Sequence, residues 1–280
     1  MKITPNELRD ALNFTANRCG FSTSLIEKDY YCSLILKSIY ENENLKNVLI
    51  FKGGTLLAKG YFDFFRLSED LDFSVDNSFC KNRTERRKIA DTLRNVLEKI
   101  LKDLNFREVS NFRGFNESTQ YNGIFGYDSV SGPSNVIKFE IGFRGDMMLE
   151  PINFGLQTLL ESPIFEKRLF PTIESLVLSK EEAYAEKIRA ALTRKQPAIR
   201  DFYDVEKIFL SGFDIFEESF VKLVKAKLSF DHSSNIDLNL EKRKILESQI
   251  ITDLKPVLKL NDNFSINNSW SLLQKIAEKL

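Results

Sequence analysis

Apolar and polar residues change their spacing several times along the chain, and each change predicts a different element. In the segment 47–76, the apolar run Val48–Phe51 is followed by a Gly-Gly-Thr break at residues 53–55 and then by Leu56–Phe62, which has the length of one or two helical turns. Apolar and polar residues then alternate over Leu71–Val75, which is the pattern of a half-buried strand. This segment is therefore predicted to fold as strand, tight turn, short helix and strand.

The residues around this segment predict further helices and strands. A 3.6-residue spacing of apolar positions predicts helices over Pro5–Asn17, about Leu25–Tyr40 and Thr84–Leu104. Alternation punctuated by glycine over Phe106–Phe143 predicts two or three antiparallel strands, the last of which is Asn135–Ile141. In that last strand, the apolar positions fall on one face and the polar positions on the other.

Beyond Glu150 the composition shifts towards helix. One further strand is predicted at Ile173–Leu178, and helices follow at Lys180–Leu192 and Arg200–Leu210. The pattern then stays helical to Leu280, with breaks near residues 231–235 and 261–268. We therefore predict an α/β fold of the α+β kind, in which a small mixed sheet with helices, residues 1–165, precedes a mainly helical lobe, residues 166–280.

Composition narrows the classes of function. Hydrophobic residues make up 42% of the 280 residues and charged residues 29%, which is typical of a soluble globular protein. The formal net charge is zero, so nucleic-acid binding would have to come from a local patch. The first ten residues lack the apolar core of a signal peptide, and no apolar run has the length of a membrane span. We expect a cytoplasmic protein that does not enter a membrane.

A basic patch surrounds the predicted helix Thr84–Leu104, where nine basic residues outnumber four acidic ones. The basic residues are Lys81, Arg83, Arg86, Arg87, Lys88, Arg94, Lys99, Lys102 and Arg107. Such a face is either simply solvated or suited to an RNA backbone, and the sequence leaves both interpretations open.

Cysteine and histidine are too few and too scattered for most familiar sites. The three cysteines, Cys19, Cys32 and Cys80, contain no Cys-x-x-Cys pair, and the only histidine, His232, lies in a polar loop. Structural zinc and disulfides are therefore not expected, and most triad chemistry is excluded. Carboxylates and lysines must carry any reaction.

Asp70 and Asp72 stand two apart at the start of the second predicted strand of the central segment. A side-chain period of two points both carboxylates to the same face, where their mutual repulsion favours a divalent cation between or in front of them. Mg²⁺ is commonly bound in this way, through one or two carboxylates and the phosphates of a substrate.

The Gly-Gly-Thr break, residues 53–55, offers a second kind of binding. Its backbone N–H groups stand free at the start of a helix, which is a common site for phosphate oxygens. A nucleoside triphosphate held with Mg²⁺ requires both a metal site and a phosphate site.

The spacing from Gly-Gly-Thr to Asp-x-Asp resembles the signature of the nucleotidyltransferase superfamily that includes DNA polymerase β. The longer string FKGGTLLAKGYFDFFRLSEDLDF resembles more narrowly the AbiEii toxin family of nucleotidyltransferases. The resemblance implies that a nucleoside triphosphate is bound by Lys52, Gly53, Gly54, Thr55, Arg66 and Ser68. It implies that Asp70 and Asp72 are catalytic metal ligands.

A site that resembles polymerase β also needs a third carboxylate from a neighbouring strand, close enough to activate the acceptor hydroxyl. Glu140, on the polar face of the strand Asn135–Ile141, is the candidate for this metal-binding and catalytic role. The alternative is that this residue is part of an ordinary exposed strand face.

Two further strings resemble the same family. IEKDYY, residues 26–31, resembles its opening helix, although a first helical turn at the surface is the favoured explanation for the charges of Glu27, Lys28 and Asp29. EEAYAEKIRAALTRKQPAIRDFYDV resembles a second block, which implies catalytic roles for Lys187, Asp201 and Asp204. For the two aspartates, capping and the helix dipole offer a structural alternative.

The resemblance implies transfer of a nucleotide from a nucleoside triphosphate to an acceptor hydroxyl, with Mg²⁺ as cofactor. It further implies a toxin of a bacterial toxin–antitoxin or phage-defence pair, with an antitoxin partner and with RNA, specifically tRNA, as acceptor. Members of the superfamily also modify proteins and small molecules such as aminoglycosides, so these acceptors stay open. A nucleotide-binding module without catalysis is a further alternative.

Overall fold

The computed structural model describes residues 3–76, 80, 82–143, 147–230 and 235–280. Residues 77–79, the basic residue Lys81 and the loop around His232 lie outside these described residues. The chain forms two compact units. The first comprises Met1–Gly145 and Pro151–Leu178, and the second comprises Asp146–Glu150 and Ser179–Leu280.

The helices and strands of the first unit follow the predicted order closely. The helices are α1 (Pro5–Cys19), α2 (Thr23–Tyr40), α3 (Gly53–Leu56), which continues as a π-helical turn (Leu57–Tyr61), and α4 (Arg83–Asp103). The strands are β1 (Leu49–Lys52), β2 (Asp70–Val75), β3 (Arg107–Phe115), β4 (Gln120–Tyr127), β5 (Asn135–Gly142), β6 (Ile152–Leu156) and β7 (Ile173–Val177).

All seven strands form one mixed sheet in the order β3-β4-β5-β2-β1-β7-β6. The strand β2 runs antiparallel to β1 and parallel to β5, so it lies between them in the middle of the sheet. The outer pairs β3–β4, β4–β5 and β6–β7 are antiparallel. The predicted fold class, a mixed sheet with helices followed by a helical part, is confirmed.

Two strands account for the differences from the predicted organisation. The strand β7 pairs with β1, so the first unit extends to Leu178, whereas the sequence placed the division after residue 165. The strand β6 was not predicted. It is an edge strand with Ile152 and Asn153 exposed, and it begins after Pro151 and contains Gly155, two residue types that are depleted in strands.

Strand β5 shows how the sheet separates an apolar face from a polar one. Ile137, Phe139 and Ile141 are buried, as their alternation predicted. Between them, Lys138 is exposed and Glu140 is half-buried on the opposite face. The apolar face forms part of the core of the first unit, and the polar face is left for chemistry.

The start of α2 is anchored by three consecutive charged residues, all of which are buried. The sequence interpretation that Glu27, Lys28 and Asp29 lie at the surface is therefore wrong. Each residue has a partner elsewhere in the chain that the local sequence could not reveal. Neighbouring helix positions point about 100° apart, so the three side chains reach three different segments.

The partners of Glu27 and Lys28 lie in the loop between β4 and β5 and directly before β2. Glu27 accepts hydrogen bonds from the Ser129 hydroxyl at 2.6 Å and from the backbone N–H of Val130 at 2.7 Å. The Lys28 ammonium lies 3.0 Å from the carboxylate of Glu69, the residue that precedes β2. Burial also raises the pKa of the nearby Cys32 thiol, so this thiol stays protonated at neutral pH.

Asp29 carries the most deeply buried ion pair of this cluster. Its carboxylate lies 2.8 Å from the ammonium of Lys59, in the π-helical turn, and the two side chains are 3% and 0% exposed. Lys59 also donates a hydrogen bond to the Ser33 hydroxyl at 2.8 Å. The pair therefore ties α2 to the helical segment that follows Gly53 and Gly54.

We expect Asp29→Ala to lower the free energy of unfolding by about 3–5 kcal/mol, because it leaves the Lys59 ammonium buried without its counter-charge. Urea denaturation followed by circular dichroism measures this loss. The matched control is Asp10→Ala, in which an exposed aspartate of α1 is removed and a change within about 0.5 kcal/mol is expected. Similar losses in the two variants would contradict a specific role for the buried pair.

The second unit is helical, as predicted. Its helices are α5 (Lys180–Thr193), α6 (Ile199–Leu210), α7 (Glu218–Phe230), α8 (Leu240–Gln249), with short π and 3₁₀ turns at Ile250–Leu254 and Lys255–Val257, and α9 (Ile266–Ala277). Glu182, at the start of α5, is fully buried and pairs with Lys227 of α7 at 2.6 Å. The same carboxylate accepts backbone hydrogen bonds from Met148 and Leu149 at 2.9 and 3.1 Å.

The basic outer face of α4 is present in the described residues. Arg87, Lys88, Lys99 and Lys102 are exposed, whereas Arg94 lies between two acidic residues of the same helix. Among the helices that the structure describes, none combines the length and the apolar character that a membrane span requires.

Candidate active site

The candidate site is built on the polar face of the sheet, where β2 begins. Asp70 and Asp72 are half-buried, and Leu71 between them is fully buried. The two carboxylates therefore share the polar face, as the strand period requires. The hydroxyl of Thr55 donates a hydrogen bond to the Asp70 backbone carbonyl at 2.6 Å, which fixes the Gly-Gly-Thr turn against the first residue of β2.

Glu140 lies on the strand next to the two aspartates. Strands β2 and β5 are parallel, and Glu140 is the register partner of Asp72. Its carboxylate accepts a hydrogen bond from the Gln120 side chain of β4 at 2.8 Å. The residue is therefore placed and oriented on the same face as Asp72, and its part in catalysis stays a prediction.

Lys52 completes the same lateral row from the other side. It is the register partner of Asp72 across β1 and β2, and a Cβ added at Gly142 of β5 would lie 3.6 Å from its ammonium nitrogen. The long side chain thus extends across β2 towards the strand that carries Glu140. A cation is placed among the carboxylates, where a polyphosphate would need one.

Gly53 provides the room that the Asp72 carboxylate occupies. Its φ angle is +79°, a left-handed conformation in which glycine alone is unstrained. A Cβ at this position would lie 2.1 Å from Asp72 Oδ2, which is far inside any contact distance. The glycine therefore serves both the sharp turn and the close approach of the carboxylate.

Gly54 provides similar room for Arg66 and Ser68. A Cβ added here would lie 2.6 Å from Arg66 Nη2 and 3.0 Å from Ser68 Oγ. Arg66 is 1% exposed and donates a hydrogen bond to the Leu67 carbonyl at 3.1 Å. The structure thus brings the predicted nucleotide-binding residues 52–55, 66 and 68 around one turn.

The donor set at this turn fits Mg²⁺. Within the described residues, histidine, cysteine, aspartate and glutamate form no group of three or more that could hold a metal ion. Two half-buried carboxylates on one strand face, with space cleared by Gly53, supply the hard oxygen ligands that Mg²⁺ prefers. The remaining positions of such an ion are commonly taken by water and substrate phosphates.

We expect Gly54→Val to raise the dissociation constant for nucleoside triphosphate by about tenfold or more. The added side chain must displace the buried Arg66 guanidinium and block the backbone of the turn, and overpacking of this kind costs about 1–3 kcal/mol. Equilibrium binding of a fluorescent nucleotide analogue measures the change.

The matched control for Gly54→Val is Gly132→Val, because no atom lies within 4 Å of a Cβ added at Gly132. This variant should bind nucleotide like the wild type. Wild-type affinity in Gly54→Val would show that the turn has only a structural function.

A second cluster lies within the second unit and joins α5 to α6. The Lys187 ammonium lies 3.0 Å from Asp201 Oδ1 and 3.0 Å from Asp204 Oδ2. The three side chains are 14%, 4% and 0% exposed, so this is a largely buried ion triad. The structure thus brings Lys187, Asp201 and Asp204 together, and the catalytic role that the resemblance implies for them stays a prediction.

Arg194 also belongs to this cluster, although the sequence assigned it no function. Its guanidinium lies 2.9 Å from Asp201 Oδ2, and its side chain is 52% exposed. The only signal in the sequence is that Arg194 lies in the short loop between α5 and α6. Many surface arginines occupy such a position.

The sequence matches the family model described as "Nucleotidyl transferase AbiEii toxin, Type IV TA system" over residues 34–265. Among solved structures, the chain is similar to JHP933 from Helicobacter pylori, with a TM-score of 0.53, 16% identity and 92% of each chain covered. It is also similar to MenT4, a nucleotidyltransferase toxin from Mycobacterium tuberculosis H37Rv, with a TM-score of 0.47, 15% identity, and 97% of this chain and 99% of that chain covered. No curated protein matches the sequence. The likeness to JHP933 shows a shared fold. The family match includes the Gly-Gly-Thr turn with its neighbouring carboxylates and also the ion triad of Lys187, Asp201 and Asp204.

Proposed function

Because the chain belongs to the AbiEii family of nucleotidyl transferase toxins of type IV toxin–antitoxin systems, we propose that it transfers a nucleotide to a hydroxyl of an RNA acceptor in a Mg²⁺-dependent reaction. The nucleotide comes from a nucleoside triphosphate, and tRNA is the proposed acceptor. Family membership implies an antitoxin partner, and the proposed site of action is the cytoplasm, where nucleoside triphosphates and tRNA occur.

One observation carries the proposal, namely the lateral row of Lys52, Asp72 and Glu140 beside the Gly-Gly-Thr turn. Register pairing places these three residues on adjacent strands and on one face of the sheet. The row combines a cation that can bind phosphate oxygens, a carboxylate that can bind a metal ion and a carboxylate that can accept a proton. A triphosphate and an attacking hydroxyl need all three functions.

The residues of the row divide the reaction between them. The acceptor oxygen forms a bond to the α-phosphorus. The bond between this phosphorus and the oxygen that bridges it to the β-phosphate breaks, and pyrophosphate leaves. Glu140, oriented by Gln120, accepts the proton of the attacking hydroxyl. Lys52 and the N–H groups of residues 53–55 offset the charge of the phosphate oxygens.

Asp70 and Asp72 would hold Mg²⁺, which when bound neutralises phosphate charge and lowers the pKa of an oxygen ligand. Gly53 keeps the space in front of Asp72 free of side chain. Thr55 holds the backbone of Asp70 against the turn, so metal ligands and phosphate-binding groups keep a fixed spacing.

The exposed basic residues of α4 favour a nucleic-acid acceptor over a small molecule. Lys88, Lys99 and Lys102 form no ion pair within the part of the chain that the structure describes, although the chain as a whole is neutral. Local positive charge on a neutral protein is the expected electrostatic basis for contact with an RNA backbone.

The direct test incubates the pure protein with each α-labelled nucleoside triphosphate, with Mg²⁺ or with EDTA, and with total cell RNA or total cell protein. Mg²⁺-dependent label on RNA of tRNA length is expected. Label on protein only, or on a small molecule such as an aminoglycoside, would contradict the RNA acceptor. Binding of nucleotide without transfer to any acceptor would support a module without catalysis.

A further inference from the structure

The polar face of the sheet does not end at Glu140 but continues across two more strands to the free edge at β3. Glu140 of β5 pairs with Asn122 of β4, and Asn122 pairs with Arg113 of β3. The register therefore places Arg113 in the same lateral row as Asp72, on the same face. Three interstrand spacings separate the two residues, roughly 14 Å.

Three residues of this extension are exposed to solvent, namely two cations and one aromatic residue. Lys138 is exposed and is the register partner of Asp70, and Arg113 is exposed on the edge strand. Phe115 pairs with Gln120 across β3 and β4, and is 48% exposed. An exposed aromatic ring beside exposed cations provides a surface on which a base can stack.

The charges on this face fit an anionic partner. Within the described residues, neither Lys138 nor Arg113 forms an ion pair, and the Arg113 guanidinium donates only a long hydrogen bond of 3.3 Å to the Asn111 side chain. Arg113 lies next to Asn122 and Phe115 lies next to Gln120 in the register of β3 and β4, and these amide side chains offer donors and acceptors to base edges. Cations for the backbone and an aromatic ring for a base are the usual elements of a single-strand site.

We propose that the face formed by Lys138, Arg113 and Phe115 binds the single-stranded end of the RNA acceptor and directs it to the lateral row of Lys52, Asp72 and Glu140. This inference rests on the proposed transfer to RNA and adds where that RNA lies. Lys138 and Arg113 contact backbone phosphates, and a base stacks on Phe115. The end of the strand then reaches Glu140, where its hydroxyl loses a proton.

The test measures KM for RNA and KM for the nucleoside triphosphate separately, in Arg113→Ala and Phe115→Ala. Each substitution should raise KM for RNA by about tenfold, as expected for the loss of a stacked base or a backbone contact, and leave KM for the nucleotide unchanged. In Arg113→Ala, the dependence of RNA affinity on salt should also become less steep, by about 0.7 in the logarithmic slope. The matched control is Lys167→Ala, an exposed lysine in the loop that joins β6 to β7, which should leave the rate of transfer to a short single-stranded RNA unchanged, since β6 is the edge of the sheet opposite β3.

Crosslinking locates the strand directly. A short RNA with 4-thiouridine near its end should crosslink to β3 in the wild type and lose that crosslink in Phe115→Ala. Arg113→Lys should recover part of the affinity that Arg113→Ala loses, because the charge is retained but the fork is not.

The outcomes separate the two proposals. If the wild type labels RNA while Arg113→Ala and Phe115→Ala keep the wild-type KM for RNA, the binding face is refuted and the proposed function stands. If the wild type labels only protein, both are refuted, and a protein acceptor takes the place of RNA. Circular dichroism and thermal melting identify any variant whose loss comes from unfolding.

Discussion

Asp72→Asn is expected to lower the rate of nucleotide transfer by a factor of about 1000 or more and to leave the protein folded. The substitution keeps the size of the side chain but removes the charge that would hold Mg²⁺, and a metal ion contributes several kcal/mol to transition-state stabilisation. The half-buried side chain next to Gly53 has room for an amide of equal size. Transfer of labelled nucleotide and a urea denaturation curve, measured on the same preparation, test both parts.

Asp70→Asn should behave in the same way, because Asp70 shares the face of Asp72 and carries the other carboxylate. The control is Asp103→Asn, an exposed aspartate at the end of α4, which should leave transfer unchanged. Turnover close to wild type in either Asp70→Asn or Asp72→Asn would end the argument for a metal at this strand.

Lys187→Ala is expected to have two large effects. It leaves the carboxylates of Asp201 and Asp204 buried without their shared cation, which should lower the free energy of unfolding by about 3–5 kcal/mol. If Lys187 also acts in the reaction, turnover of the remaining folded protein should fall by a factor of about 100 or more, the range for one lost charge-stabilising group. Lys187→Arg should recover only part of the rate, because a guanidinium is wider than an ammonium.

A second variant separates stability from turnover. Lys187→Met combined with Asp201→Asn and Asp204→Asn removes the uncompensated charge, so stability should largely return while turnover does not. The control is Lys180→Ala, on the same helix, where an exposed lysine lies over the rings of Tyr184 and Phe213. Equal losses in Lys180→Ala and Lys187→Ala would exclude a specific role for Lys187.

The short-range part of the candidate site was predictable from the sequence. The period of two places Asp70 and Asp72 on one face. The Gly-Gly-Thr sequence follows β1 directly, as predicted, although it forms the first turn of α3 rather than a separate turn before the helix. The alternation of β5 also predicted that Glu140 lies opposite the buried face. Each of these inferences depends only on residues a few positions apart.

The long-range part was not predictable in this way. No local pattern states that β2 pairs in parallel with β5, which is what aligns Asp72 with Glu140. The burial of Asp29 depends on Lys59 and that of Lys28 on Glu69, partners that only the tertiary fold supplies. Charged residues are usually solvated, so the general rule pointed to the wrong location for residues that lie in the second turn of α2.

The excursion of residues 146–150 into the second unit has a consequence for biosynthesis. The chain leaves the first unit after β5 and returns to form β6 and β7. Of these two strands, β7 pairs with β1. Domains tend to fold from the N-terminus as they leave the ribosome. A nascent chain that ends at Gly145 therefore already carries both aspartates and Glu140, but β1 still lacks a neighbour on its outer side. Termination before β7 would thus release a chain with an incomplete sheet. The sheet can be completed only after the ribosome has translated the codon for Val177.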